Sequence, residues 1–494
     1  MNRLHFIFLS LLTCGTLLAQ EGPLSDSFVN PLPLPDYPLG NWARKPSPNL
    51  DRYLKGYVQD FRELADPSVL YDDGRWILYP SVSMAYVSDD FKTWKKVTIS
   101  PEKIGDGYAP TVCKHKGRYY MTGCFSRLWV AEHPLGPFEE LGPIETPDGE
   151  SIESKIFDPM LFSDGDTLYL YWHQKALWGV ALDGENPLRM ASSPVELAHS
   201  RPENEWERYG EYNEDPRRSF MEGVWMYRHG ESYYLTFASP GTANGTYAIG
   251  AYRGTSPLGP FSYQKHNPVL RKTTGTVPGS GHGCIVDGPN GTIWAFTTSM
   301  VNNYHVFERR ISLFPVGIDC NGDLFGLPCR DVPQWIPGHD PHPERGNEAG
   351  FLPVSVRTIA YASSCAAGRT ADYAIDDYCR SWWQPESGDK EPFLAVDFKK
   401  DYNISALRIL WAEPNIDHRA GIVSGPVRYR LYAQRKKGSE WVPILDCSAN
   451  DTDYLIDYRC FETIRARAVK LEITGTAPGV EIGILEFTIF GKPS

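Results

Sequence analysis

Five segments of this chain read as copies of one unit, and internal repetition restricts a fold more than any other sequence feature. They are DPSVLYDDGRWILYP from Asp66, APTVCKHKGRYYMTG from Ala109, DPMLFSDGDTLYLYW from Asp158, EGVWMYRHGESYYLTF from Glu222 and HGCIVDGPNGTIWAF from His282. Each carries a β-prone run, a polar turn with glycine, and a second run rich in Tyr, Trp, Phe or Leu, the pattern of a hairpin. The copies start 43, 49, 64 and 60 residues apart, which leaves room for about four strands and their loops in each. A weaker repeat, HPLGPFEE from His133 and SPLGPFSY from Ser256, lies downstream of two of them. A twisted sheet of this size buries its faces only against like neighbours, so five of them predict an all-β, five-bladed β-propeller.

In a propeller the innermost strand of each blade begins near the central axis. The matched first positions are Asp66, Ala109, Asp158, Glu222 and His282. A single Asp before Pro commonly caps a turn, but three carboxylates and a histidine in repeat register predict convergence on one pocket. Glycosidic hydrolysis needs an acid for the leaving oxygen and a base for water. A third carboxylate can raise the pKa of the acid by like-charge repulsion. The net charge of −12, with no basic stripe, argues against a nucleic-acid partner and suits a neutral or weakly charged substrate, here an expected oligo- or polysaccharide on the strength of the three acids.

The motifs ADPSV, FDPMLFSDGDTLYLYW, MEGVWMYRHGESYYLTF and GSGHGCIVDGPNG, in that order, resemble glycoside hydrolase family 43 over residues 25–330. The resemblance implies inverting hydrolysis of arabinofuranosides, xylosides or galactans, with Asp66 as general base, Asp158 as pKa modulator and Glu222 as general acid. Inversion implies that Asp66 and Glu222 stand roughly 6.5–9.5 Å apart. His282 resembles the axial histidine that orients water or a calcium ion in relatives. Trp76, Tyr108, Phe125, Trp172 and Trp225 are candidates for stacking on sugar, although aromatics at strand period are more often packing. Arg309 or Arg310 is either a ligand for a sugar hydroxyl or a solvated strand charge. The excursion AHSRPENEWERYGEYNEDPRRS, residues 198–219, is expected over the pocket mouth. The expected activity is exo-acting, on terminal arabinofuranose of plant-type side chains. β-Xylosidase or exo-acting galactan or galactofuranoside hydrolysis comes next, and a non-catalytic glycan-binding propeller is the alternative of another class. A fructosidase is disfavoured because its signatures around the acids differ.

After a Pro- and Gly-rich linker at 336–350, residues 351–494 read as separated short strands, a β-sandwich pattern. The landmarks DYAIDDYCRSWW, FLAVDF, ISALRILW, VRYRLYAQ and GILEFTIFG resemble the factor V/VIII type C (discoidin) domain, including family 32 carbohydrate-binding modules. That resemblance implies a structural calcium at Asp376, Ser381 and Glu486, and a glycan-binding or architectural role, with Trp411, Trp382 and Tyr429 as candidate exposed aromatics. The leader MNRLHFIFLSLLTCGTLLAQ reads as a signal peptide over 1–19, with the propeller at 20–335, and implies a secreted or periplasmic protein. A lipid anchor at Cys14 ranks second, and no later stretch is apolar enough to span a membrane. Local disulfides Cys113–Cys124, Cys320–Cys329, Cys365–Cys379 and Cys447–Cys460 would suit that compartment and leave Cys284 over.

Overall fold

The structure, a computed structural model, describes residues 22–37, 61–81, 84–101, 108–301, 307–327 and 331–494. The leader and Cys14 lie outside these residues. Five antiparallel sheets follow one another along the chain. The first holds Ser68–Asp72, Arg75–Tyr79, Met84–Ser88 and Lys95–Thr98, and the second Thr111–His115, Arg118–Thr122, Leu128–Ala131 and Glu139–Gly142. The third to fifth begin with Phe157–Asp164, Glu222–His229 and Gly281–Asp287. These five first strands touch one another in cyclic order, the fifth against the first, so the ring closes. Apolar side chains fill the wedges between blades: Leu78, Tyr86, Trp294 and Phe296 between the first and fifth, and Leu128, Val130, Leu170 and Val180 between the second and third. Burial on both faces is why the strands read as dense aromatic and aliphatic runs.

The N-terminal segment seals the closure. Asn30 exchanges side-chain hydrogen bonds with the Leu313 backbone, and Ser27–Phe28 pairs with Gln334–Trp335. The C-terminal domain is a β-sandwich built on two 20-residue strands, Phe393–Ala412 and Ile456–Gly475. Register shifts such as that between Asp397 and Tyr402 bend these strands as they run through the sheet. The sandwich packs directly on the propeller, with Val277 and Val301 against Trp382, Leu410, Ile456 and Leu485. Among the described residues no helix is long and apolar enough to cross a membrane.

Several expectations change here. Trp411, Trp382 and Tyr429 are buried, because they fill the sandwich core and its face toward the propeller. Cys113, Cys365, Cys379, Cys447 and Cys460 carry free thiols, so three of the local pairings do not form; Cys113 packs between blades while Cys124 turns to Asp158. Cys329 lies outside the described residues. The excursion at 198–219 has structure of its own, a short 3-10 turn at Glu205–Glu207 and a hairpin of Arg208–Tyr209 with Asp215–Ser219. Buried Glu207 anchors it by accepting from Arg201 N, Asn204 Nδ2 and Tyr263 OH.

Candidate active site

The repeat places its first residues in a common and unusual backbone state. Asp66, Ala109, Asp158 and His282 have φ of 47°, 41°, 48° and 21°, a region L-residues seldom occupy and that recurs at functional sites. The fourth blade differs from the sequence expectation. Its residue in this state is Gly223, at φ 60°, and Glu222 stands one position earlier, level with Ala65, Tyr108, Phe157 and Gly281. The register agrees: counted back from the hairpin, Gly223 lies as far from His229 as Asp158 from Asp164. Glycine is required at 223, because a Cβ would fall 2.7 Å from His282 Cγ.

A second ring lies behind the first. Two residues beyond the partners of Ser68, Thr111, Met160, Trp225 and Cys284 come Ser81, Cys124, His173, Ala238 and Thr298. Three of these hold the first ring's backbone. Asp66 N donates to Thr298 Oγ1 at 2.8 Å, Ala109 N to Ser81 Oγ at 3.1 Å and Asp158 N to Cys124 Sγ at 3.2 Å. Ser81 Oγ in turn donates to Asp66 Oδ2 at 2.6 Å, and Cys124 Sγ to Asp158 Oδ1 at 3.2 Å.

Charge is sharply divided across the pocket. Arg309 forks onto Asp66, Nη1 to Oδ1 at 3.0 Å and Nη2 to Oδ2 at 2.9 Å, while its Nε donates to Glu63 Oε1 at 2.6 Å. His282 Nδ1 bridges Asp66 Oδ1 at 3.2 Å and Asp158 Oδ2 at 3.3 Å. Burial alone would push the Asp66 carboxyl up, but the charge of Arg309, then His282 and the Ser81 hydroxyl, hold it below its ordinary 3.8. Burial likewise disfavours the imidazolium, yet Asp158 and Asp66 carry His282 up to about 9. Glu222 moves the other way. Burial, followed by the negative charge of Asp158, pushes it from 4.5 up to about 7. The Tyr247 hydroxyl donates to Glu222 Oε1 at 2.6 Å and opposes that rise. Tyr247 reaches this carboxyl across Gly281, where a Cβ would sit 2.3 Å from the ring.

The structure therefore brings together Asp66, Asp158, Glu222 and His282, with Tyr108 beside them through its hydroxyl on Glu63 Oε2 at 2.6 Å. Phe125 is 47% exposed and starts an aromatic row through Phe157 at 5.9 Å, His173 at 5.9 Å and Phe220 at 5.1 Å. Trp76, Trp172 and Trp225 do not reach the pocket. Trp76 packs between the first and fifth blades with Nε1 on Asp287 O, Trp172 between the second and third, and Trp225 Nε1 donates to Ile285 O. Second-strand and mid-strand aromatics face neighbouring blades, not the axis. Arg309 and Arg310 are both buried and ion-paired, not solvated. Tyr247, Ser81, Cys124 and Thr298 were not legible as site residues, because each meets the acids only through contacts between blades or strands, and Glu63 acts only through Arg309 and Tyr108.

In the sandwich, Ser381 Oγ donates to Asp376 Oδ2 at 2.5 Å and Glu486 Oε2 accepts the Asp377 N–H at 3.0 Å. Glu486 Oε1 is buried with no hydrogen-bond partner, and burial pushes both Glu486 and Asp376 upward. Among the described residues, no three His, Cys, Asp or Glu side chains gather as a metal site.

A model of the glycosyl hydrolases family 43 matches residues 62–323, the span that carries both rings. The chain belongs to family 43. A model of the F5/8 type C domain matches residues 359–487, over the sandwich. Among curated proteins, a "Xylosidase/arabinosidase" from Bacteroides ovatus is 27% identical over 283 residues, covering 44% of this chain and 83% of its own length. A "Beta-D-galactofuranosidase" from Aspergillus niger is 23% identical over 278 residues, covering 50% of this chain and 74% of its own. Among solved structures, a thermostable family-43 glycoside hydrolase has a TM-score of 0.47 at 20% identity, covering 56% of this chain and 97% of that one.

Proposed function

We propose that this family 43 glycosidase releases terminal arabinofuranose from plant-type polysaccharide side chains with inversion, Asp66 acting as base, Glu222 as acid and Asp158 as modulator. The observation that carries the reading is the opposed state of two buried carboxyls, Asp66 held below 3.8 by Arg309 and His282, and Glu222 raised to about 7. Such a pair suits acid–base chemistry near neutrality. Asp66 takes a proton from a water molecule as the water oxygen attacks the anomeric carbon, and Glu222 gives its proton to the departing glycosidic oxygen. Once both products leave, solvent returns a proton to Glu222 and removes the one on Asp66. Asp158, through its charge on Glu222 and its contact with His282, keeps the acid protonated and the imidazole cationic. A purely glycan-binding propeller has no use for this division of charge.

Arabinofuranose is the first choice of sugar, and the relative named for xylosides and arabinosides supports it together with β-xylosidase activity. The galactofuranosidase relative supports the third option. Phe125 and Phe220, the exposed ends of the aromatic row through Phe157 and His173, fit stacking against the sugar or its leaving group. The leader supports export from the cytoplasm. In the sandwich a calcium ion would recruit Asp376 and the unpartnered Glu486 Oε1 and offset their buried charge; its test is a melting temperature raised by calcium and lowered by a chelator. For the sandwich itself, the burial of Trp382 and Trp411 favours an architectural role. The enzymatic reading is tested with a panel of aryl arabinofuranosides, xylosides and galactofuranosides, with NMR of the first-formed anomer. Cleavage of none of them, or retention of configuration, overturns it.

A further inference from the structure

Side chains alternate across an extended segment, so the residues beside Glu63 and Arg309 point away from the pocket. Arg62 and Arg310 accordingly face the sandwich side. Arg62 grips Glu413 with both ends of its guanidinium, Nε to Oε2 at 3.1 Å and Nη2 to Oε1 at 2.7 Å, and Nη1 meets Asp453 Oδ2 at 2.5 Å. Glu413 and Asp453 belong to the sandwich. Arg310 Nη2 donates to Asp36 Oδ2 at 2.9 Å, and its Nη1 to the Arg62 carbonyl at 2.7 Å. Asp36 N in turn donates to Asp453 O at 2.8 Å.

Arg62 and Arg310 are each one residue from a group that holds the pocket. Glu63 fixes the Arg309 fork, and Arg309 fixes both oxygens of Asp66. Leu64 N also donates to Arg309 O, so the two segments are stitched at the point where the side chains diverge. We propose that Glu413 and Asp453 of the C-terminal sandwich are positioning residues for Asp66, acting through Arg62, Glu63 and Arg309. The inference rests on the reading of Asp66 as base. A bidentate pair to a buried guanidinium is orientation-specific in a way that apolar packing is not, which is why the coupling runs through these two acids and not through the hydrophobic contact around Trp382. The lattice holds three acids, Asp36, Glu413 and Asp453, against two arginines. Burial first, and then the neighbouring acids Asp453 and Asp36, push Glu413 up to about 7, against the opposing charge of Arg62. Glu413→Gln therefore imitates a state the fold already accommodates.

The test uses the full-length protein as Glu413→Gln, Asp453→Asn and the double variant. Arg465→Gln, which breaks an exposed ion pair with Asp401, serves as the control, and Asp66→Asn runs alongside. Misplacing the base by a fraction of an ångström is expected to lower kcat about 10- to 100-fold in the double variant, with KM near the wild-type value. The acid limb of kcat/KM is expected to move to higher pH, because Arg309 is what outweighs burial at Asp66, with His282 and Ser81 contributing less. Folded variants, by circular dichroism and melting temperature, that keep wild-type kcat and an unmoved acid limb overturn the inference while Asp66→Asn remains inactive. A fall in kcat without movement of that limb also overturns it, since general loosening would do as much. Should the double variant not fold, the same two readouts apply to Glu413→Gln and Asp453→Asn singly. An active Asp66→Asn instead overturns the base assignment itself.

Discussion

Glu222→Gln should make the protein more stable and nearly inactive, and the two effects share one physical origin. The wild-type carboxyl ionises at about 4.5 when the chain is unfolded and at about 7 when folded. At about 1.4 kcal/mol per tenfold change in proton affinity, keeping it ionised in the folded protein costs about 3 kcal/mol. The folded state holds the proton more tightly, so this contribution is fully favourable below 4.5 and is lost as pH rises through 7. Glutamine never ionises and still accepts from Tyr247 through its carbonyl oxygen. The melting temperatures of variant and wild type should therefore coincide near pH 4 and separate between pH 4.5 and 7. Above pH 7 the variant should melt about 6–12 °C higher, on the scale of about 2–4 °C per kcal/mol for a large domain. Glycosides with poor leaving groups should be cleaved about 10²–10⁴-fold more slowly, and those with good leaving groups much less so. Scanning calorimetry from pH 4 to 8 with both substrate types reads every part. A melting difference that does not change with pH refutes the assignment of the raised carboxyl to Glu222.

Tyr247→Phe removes the hydroxyl that opposes the rise of Glu222, so the basic limb of the kcat/KM profile should move above its wild-type position near 7. Gly223→Ala drives a Cβ toward His282 at φ 60° and should cost about 1–3 kcal/mol in denaturant titrations, with activity lost faster than stability. Cys124→Ala leaves Asp158 without its thiol contacts at N and Oδ1. It should destabilise by about 1–3 kcal/mol and reduce kcat, whereas Cys124→Ser should retain most of both.

The sequence by itself determined the five blades, their hairpins, and the placement of Asp66, Asp158 and His282 at matched points near the axis. Those features are local, since alternation, turn chemistry and repeat length act within a few residues of each other. It also determined that the polar turn of the first copy closes a hairpin, which Asp73 and Gly74 make between the paired Asp72 and Arg75, while Asp66 lies outside it. The one-residue offset of Glu222 was not legible in the chain, because hydrophobic pattern tolerates a bulge without changing the blade. Tertiary structure decided the charge state in which Asp66 and Glu222 are held. Whether a buried carboxyl is held ionised or protonated depends on the cations beside it, and Arg309 reaches Asp66 from a sequence separation that no pattern links. The same holds for the tryptophans, because at strand period an axial and an inter-blade aromatic look alike until the ring closes. The position of Glu413 and Asp453 against Arg62 is set only when two domains pack, and burying that guanidinium leaves it to their carboxylates, Asp36 and the Tyr37 carbonyl.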